Sequence, residues 1–222
     1  MSVSSSYWLQ RAQSPKKAVP TASAFADWVY RESSNYSMWK SKGEGEPVDT
    51  FRSLRLQLGK VTHRDVELFL MFKWTQEFLG SPDPSNWVLI FADNKHYPER
   101  IFEATALRVG KYSLRCVPDV VLKNKRQSVY LVIERKTTFV PEPNIPIEGW
   151  PNVEAQLWCY SWIDDWKGAE EILLVGQLWH RTAGGISLCH RHPAWKRTDP
   201  EHHERCLAWF KKYGGTFLHD KT

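Results

Sequence analysis

The chain contains 222 residues, of which 30 are basic and 25 are acidic, so its formal net charge is +5. This length predicts one ordinary domain with an extension, and the apolar and charged fractions are typical of a soluble globular protein. The charge permits a polyanionic partner without demanding one.

Targeting and redox features also restrict the class of protein. No apolar run approaches the roughly 20 residues that a membrane-spanning helix needs. The first six residues, MSVSSS, lack the charged and apolar regions of a secretory signal. The four cysteines are scattered without paired spacing, which favours free thiols over a disulfide framework. We therefore expect an intracellular protein without a membrane partner, and the sequence leaves a cytoplasmic or nuclear location open.

The N-terminal region differs in composition from the rest of the chain. Residues 1–47 are rich in Ser, Pro and Lys, which predicts a partly flexible N-terminal extension with a short helix at 24–32. The domain itself is predicted to span residues 48–222. It begins with a short amphipathic helix at 51–58, and a longer apolar helix follows with Thr62 as its N-cap.

A group of β-strands is predicted next. The β-like runs cover residues 87–91 with 101–109, residues 112–122 and residues 128–137. A basic turn at 123–127 joins the last two runs, so these should form an antiparallel hairpin. A proline-rich loop then leads to a predicted helix at 153–166.

The C-terminal part continues the alternation of strands and helices. Strands are predicted at 171–180 and 186–190, on either side of a glycine turn. Asp199 and Pro200 are predicted to begin a final helix, with proline in the first helical position. This order of elements predicts an α/β fold in which helices flank a mixed central β-sheet.

Charged residues at the end of one predicted strand indicate a catalytic site. The run at 128–137 is apolar on both faces, which is typical of a central buried strand. Glu134 and Lys136 share one face of it, where charges without partners would be costly. The hairpin brings Asp119 back towards Glu134, and two nearby carboxylates repel each other unless a cation lies between them. Hard oxygen ligands favour Mg²⁺ or Mn²⁺, so these three residues predict metal-dependent phosphodiester hydrolysis.

These residues resemble the signature of the PD-(D/E)xK nuclease superfamily. Pro118 and Asp119 match its Pro-Asp, and Glu134 with Lys136 matches its (D/E)-x-K. The resemblance covers roughly residues 55–165. It implies a restriction-endonuclease-like core and a Mg²⁺- or Mn²⁺-dependent deoxyribonuclease, in which Asp119 and Glu134 bind metal and Lys136 activates or orients water.

Further residues resemble the RecB-type branch of that superfamily. Gln156 and Tyr160 lie four apart on a predicted helix, so they share a face and match its Gln-x-x-x-Tyr. The resemblance implies that Gln156 contacts the active centre or DNA and that Tyr160 supports it. Gly59 and His63 match an upstream Gly-x-x-x-His, which implies His63 as a metal ligand. Glu67, one helical turn later, is the preferred acidic residue of the first helix. The cysteines lack the arrangement of the iron–sulfur branches, so no cluster is expected.

Two other groups of residues have both a functional and a structural interpretation. Lys123, Lys125 and Arg126 carry the charge to contact a nucleic-acid backbone, whereas a solvated hairpin tip has the same composition. Two Cys and His pairs have a spacing that zinc uses, although ordinary helix packing also explains the last cysteine. The four residues of that alternative are Cys189, His192, His203 and Cys206.

The resemblance implies DNA as the partner and substrate, and the residues themselves do not exclude RNA. Two alternatives remain from other functional classes. One is a catalytically inactive nuclease-fold module that binds nucleic acid or a partner protein, and the other is an interaction protein with exposed tryptophans. The sequence leaves open the choice between end-directed and internal cleavage, the polarity, the sequence preference, the oligomeric state and the pathway. A partner protein that supplies targeting is a hypothesis.

Overall fold

The structure is a computed structural model that describes residues 19–32, 86–92, 100–138, 150–182, 185–191 and 195–218. Within these ranges it describes the side chains except at 137–138 and 180–191. The helices in these ranges are α1 (Ala22–Glu32), α2 (Pro151–Tyr160) and α3 (Pro200–Lys212). The strands are β1 (Trp87–Ala92), β2 (Phe102–Val109), β3 (Tyr112–Cys116), β4 (Val120–Asn124), β5 (Val129–Thr138), β6 (Glu171–Thr182), β7 (Gly185–Arg191), β8 (Trp195–Lys196) and β9 (Gly215–Phe217).

The strands form two sheets. The central sheet has the order β1-β4-β5-β6-β7, and β8 pairs with β6. Strands β5 and β6 are parallel and are connected through α2, whereas the other pairs are antiparallel. The smaller sheet has the order β3-β2-β9. The predicted α/β class with a mixed central sheet flanked by helices is therefore confirmed.

The predicted hairpin forms from β4 and β5. Its register pairs Val120 with Ile133 and Lys123 with Tyr130. Both faces of β5 carry apolar residues in contact with other parts of the core. Val132 belongs to the large cluster beneath α2, and Leu131 belongs to a second cluster on the opposite face. This strand is therefore central and buried, as its alternation predicts.

The single strand predicted at 112–122 is wrong. The chain leaves β3 after Cys116 and enters β4 at Val120, so the two halves belong to different sheets. Pro118 lies in the break, and proline has no N–H with which to continue a ladder. The break places Asp119 directly before the central hairpin.

Helix α2 is shorter than the predicted 153–166. It ends at Tyr160, where local side chains satisfy two of its last carbonyl groups. The Ser161 hydroxyl donates to the carbonyl of Trp158 over 2.7 Å, and the Trp166 indole donates to the carbonyl of Tyr160 over 2.9 Å. All residues from Val153 to Tyr160 are buried.

Helix α1 belongs to the main core, although its residues fall in the predicted N-terminal extension. Ala22, Phe25, Ala26 and Val29 are buried and recur at i, i+3, i+4 and i+7, the spacing of one helical face. The ring of Phe25 meets that of Phe210 edge-on, with the centroids 5.2 Å apart. The core therefore includes a helix that composition alone assigns to a flexible segment.

The C-terminal elements follow the prediction closely. Strands β6 and β7 pair antiparallel. Helix α3 begins at Pro200, and the Asp199 side chain accepts the backbone N–H of His202 over 3.4 Å. The helices predicted at 51–58 and after Thr62 lie outside the described residues, as does the predicted domain boundary at 48. Among the described helices, none is long and apolar enough to cross a membrane.

Candidate active site

The central hairpin brings the predicted acidic residues together. Because Val120 pairs with Ile133, Asp119 lies opposite Glu134 at the end of the ladder. An oxygen of Asp119 accepts the backbone N–H of Arg135 over 2.6 Å. This bond fixes the Asp119 carboxylate beside β5.

Glu134 is a buried acid with a perturbed pKa. Its side chain is 2% exposed, and Oε1 forms an ion pair with Lys136. The other oxygen, Oε2, has no hydrogen-bond partner among the described residues. Burial and the nearby charge of Asp119 raise the pKa of Glu134 to about 7, and the charge of Lys136 offsets only part of this rise.

Lys136 lies between two partners from different elements. Its ammonium group contacts Glu134 on the same strand and donates to the side-chain carbonyl of Gln156 on α2 over 3.0 Å. Burial lowers the pKa of Lys136, but Glu134 and Asp119 raise it further, so the net shift is upward. Lys136 is therefore held as a cation.

Gln156 and Tyr160 extend this network towards the segment before Asp119. The Gln156 amide nitrogen donates to the Tyr160 hydroxyl over 2.5 Å, and that hydroxyl donates to the carbonyl of Val117 over 2.8 Å. The pKa of Tyr160 is raised well above its ordinary value, mainly by burial and to a smaller extent by the charge of Glu134. The hydroxyl therefore stays neutral. Helix α2 thus connects Lys136 with the backbone that leads into Asp119.

Helix α1 contributes two residues that the sequence interpretation missed. The Gln156 amide nitrogen is 3.5 Å from the Ser23 hydroxyl oxygen. The negative charge of Asp27 is the smallest of the causes that raise the pKa of Lys136. Ser23 and Asp27 are four residues apart and exposed, on the side of α1 away from its buried stripe. The amphipathic spacing of α1 was the available signal that this segment packs against the domain.

The donor set suits a hard divalent cation. Asp119 and Glu134 offer carboxylate oxygens, which Mg²⁺ and Mn²⁺ prefer. A buried carboxylate oxygen without a partner, as at Glu134 Oε2, is costly unless a cation or donor reaches it. On β6 the residue paired with Glu134 is Gly176, which adds no side chain to the site. These residues therefore fit the predicted metal.

The predicted metal ligands from the upstream helix, His63 and Glu67, lie outside the described residues, and their roles stay predictions.

The basic turn lies at the other end of the hairpin from the acidic residues. Strand β4 runs away from Asp119, so Lys123 lies about 13 Å from it at the usual rise per residue. Lys125 donates its backbone N–H to the carbonyl of Asn86 over 2.7 Å, and the Asn124 side chain accepts the backbone N–H of Arg126 over 2.9 Å. One phosphate group therefore does not reach both this turn and Glu134. Contact between the turn and a nucleic-acid backbone stays a prediction.

Two residues of the zinc alternative are described, His203 and Cys206, and each has a contact of its own, so this alternative stays a prediction. His203 accepts a hydrogen bond from the Trp158 indole over 3.1 Å and packs against Phe217. Cys206 instead lies 3.8 Å from the ring of His202. The remaining two side chains of that alternative, Cys189 and His192, lie outside the described side chains.

The Tyr160→Phe variant tests the link between α2 and the Asp119 segment. Loss of the hydroxyl leaves the Val117 carbonyl without this donor and the Gln156 amide nitrogen with only the more distant Ser23 hydroxyl, so we expect a loss of about 1 to 3 kcal/mol in the free energy of unfolding. Urea denaturation followed by fluorescence measures this change. Tyr130→Phe is the matched control, because its ring packs on Trp166 in the same core. Equal losses in the two variants would contradict the assigned role.

Comparisons with known proteins place few constraints on the chain. No protein-family model and no curated protein matches it. Among solved structures it is similar to the crystal structure of SSO0001, with 15% sequence identity over 92% of this chain and 79% of that chain. The TM-score is 0.37, a level at which the likeness supports neither a fold assignment nor a function.

Proposed function

We propose that the protein is a Mg²⁺- or Mn²⁺-dependent deoxyribonuclease with a restriction-endonuclease-like core. One observation carries the proposal: Asp119, Glu134, Lys136 and Gln156, which come from three separate segments, meet in one cluster of charge interactions and hydrogen bonds. A buried carboxylate with a raised pKa and a specific charge partner is a feature that clusters at functional sites. The resemblance of these residues to the PD-(D/E)xK signature supports the same reaction.

The acidic residues are assigned to metal binding. Asp119 and Glu134 would hold the cation, which when bound lowers the pKa of a water molecule and neutralises charge on the phosphate. Metal binding also explains why the chain keeps two repelling carboxylates at one strand end.

Lys136 is assigned an electrostatic role. Its ion pair with Glu134 holds the ammonium form, so it stabilises negative charge on the phosphate and orients the attacking water by donating hydrogen bonds. Gln156 fixes the position of this ammonium group, and Tyr160 fixes Gln156.

Cleavage of defined DNA substrates tests the proposal. Purified protein with Mn²⁺ or Mg²⁺ is expected to cut linear double-stranded DNA, and EDTA is expected to abolish the reaction. Covalently closed circular DNA distinguishes the cleavage modes, since only internal cutting converts it to open or linear forms. The Asp119→Asn variant is the matched control, because it removes one charged ligand and keeps the shape of the side chain.

Failure of this experiment has a defined meaning. If no DNA or RNA substrate is cut and calorimetry detects no Mn²⁺ binding, the nuclease assignment is wrong. Salt-dependent DNA binding under those conditions would identify a catalytically inactive module that binds nucleic acid.

A further inference from the structure

A second polar cluster lies where α2 meets α3. Glu154 on α2 has a side chain that is only 9% exposed. Its carboxylate accepts hydrogen bonds from the Arg205 Nε atom over 2.9 and 3.2 Å, and a second Arg205 nitrogen also contacts it. The ring Nδ1 of His202, which is fully buried, lies 2.9 Å from the same carboxylate. Glu154 is thus held by two residues of α3.

A metal site is the competing interpretation of this cluster. Ligand atoms of Glu154, His202 and Cys206 lie within 4.8 Å of one another. Both carboxylate oxygens of Glu154, however, already contact the Arg205 guanidinium, whose positive charge occupies the place that a cation would take. The geometry therefore favours a hydrogen-bonded ion pair, which compensates the cost of burying the carboxylate.

This cluster lies on the opposite side of α2 from the active site. Glu154 and Gln156 are two residues apart, which corresponds to about 200° around a helix axis. Within the described chain, no side-chain hydrogen bond caps the N-terminus of α2. Polar side chains therefore fix the rotation of α2 from two sides, through Gln156 and Tyr160 at the active site and through Glu154 at α3.

We infer that Glu154, His202 and Arg205 are positioning residues for the active site. They hold α2 in the rotation at which the Gln156 carbonyl reaches Lys136. A rotation of α2 that released Glu154 would also lengthen the 3.0 Å bond between Gln156 and Lys136. The catalytic consequence of this inference rests on the proposed nuclease function, whereas the structural coupling does not.

The Arg205→Gln variant tests the inference, because it removes the guanidinium charge from Glu154 and keeps a side chain that can donate a hydrogen bond. It creates no internal cavity, since the Arg205 side chain is 44% exposed. We expect kcat for DNA cleavage to fall about 10-fold with KM within about twofold of wild type, since misplacement of catalytic groups affects the chemical step. Gln156→Ala should cause a similar fall. The double variant should be no slower than the slower single variant, because both changes act through the same group. Lys211→Gln is the matched control, since it removes one positive charge from the same helix.

Additive losses in the double variant, or equal losses in Arg205→Gln and Lys211→Gln, would overturn the inference. An activity-independent measurement separates this result from failure of the proposed function. In ¹⁵N NMR spectra, the side-chain amide signals of Gln156 (assigned by their loss in Gln156→Ala) should move in Arg205→Gln and stay in place in Lys211→Gln. Unmoved signals would overturn the inference even if the wild-type protein cuts no DNA.

Zinc content decides between the ion pair and the metal interpretation. Purified protein incubated with zinc alone and then dialysed is expected to retain less than stoichiometric zinc. Stoichiometric zinc that is lost in Cys206→Ser and kept in His203→Gln would overturn the inference in favour of a metal centre at Glu154, His202 and Cys206.

Discussion

The Lys136→Ala variant is expected to cut DNA about 10²- to 10³-fold more slowly than the wild-type protein, because one preorganised charge at a reacting phosphate contributes an effect of this size. In the structure Lys136 is the cationic side chain that links Glu134 with Gln156. Its loss should therefore act on kcat, and Mn²⁺ binding measured by calorimetry should persist, since Asp119 and Glu134 remain. Single-turnover cleavage of a labelled duplex gives the rate of the chemical step directly.

Lys111→Ala is the control for a simple loss of positive charge. Lys111 is exposed on the turn between β2 and β3, where its ammonium group lies over the ring of Tyr112. We expect this variant to cleave at a rate within about twofold of the wild-type rate, as is usual for surface substitutions. If Lys136→Ala retained more than a third of the wild-type rate, Lys136 would have no catalytic role and the assignment of the site would be wrong.

The parts of the site that could be predicted from sequence are those set by local rules. Alternation along β5 places Glu134 and Lys136 on one face, and the turn residues after β4 determine the antiparallel hairpin. These two rules together bring Asp119 opposite Glu134. The helical spacing of Gln156 and Tyr160 likewise places both on one side of α2, where they form a hydrogen bond.

The parts that could not be predicted depend on contacts between distant segments. Ser23 and Gln156 are 133 residues apart in sequence, and no local pattern encodes their proximity. The composition of residues 1–47 resembles that of a flexible tail, so α1 appeared outside the domain although its apolar stripe is regular. Pro118 was the local signal that the strand at 112–122 must break. The β-forming residues on both sides of Pro118 favour a continuous strand, and this local preference conceals the break.

The interaction of Glu154 with α3 shows a related difficulty. From the sequence alone, Glu154 is an acidic residue in the first turn of a helix, where its charge interacts favourably with the helix dipole. In the fold it is buried and pairs with Arg205, which lies 51 residues away. A charged residue in an otherwise apolar helix has either interpretation until its neighbours in space are known, because the sequence does not specify which helix covers it.

The Glu134→Gln variant is expected to be more stable than the wild-type protein above pH 7 when no metal is present. The pKa of Glu134 rises from 4.5 to about 7 on folding, mainly through burial. Between these pH values the folded state binds a proton that the unfolded state has lost, so wild-type stability falls as the pH rises. Glutamine carries no charge to bury, so the variant should lack this loss.

The expected size of this effect follows from the same shift. One pKa unit corresponds to 1.36 kcal/mol, so the variant should gain up to about 3 kcal/mol in the free energy of unfolding at pH 8 and almost nothing at pH 4. The ion pair with Lys136 lowers the pKa of Glu134, but the net shift is still upward. The variant is therefore still expected to be the more stable protein at pH 8. Urea denaturation in EDTA at both pH values measures the difference.

Two further measurements make the result specific to Glu134. Glu170→Gln is the matched control, since Glu170 is exposed and the change should leave stability within about 0.5 kcal/mol at both pH values. Adding Mg²⁺ should raise the Tm of the wild-type protein more at pH 8 than at pH 5, because the cation binds the ionised carboxylate. It should have little effect on Glu134→Gln. Equal stability of the variant and the wild type at pH 8 would contradict the buried, repelled carboxylate on which the proposed metal site depends.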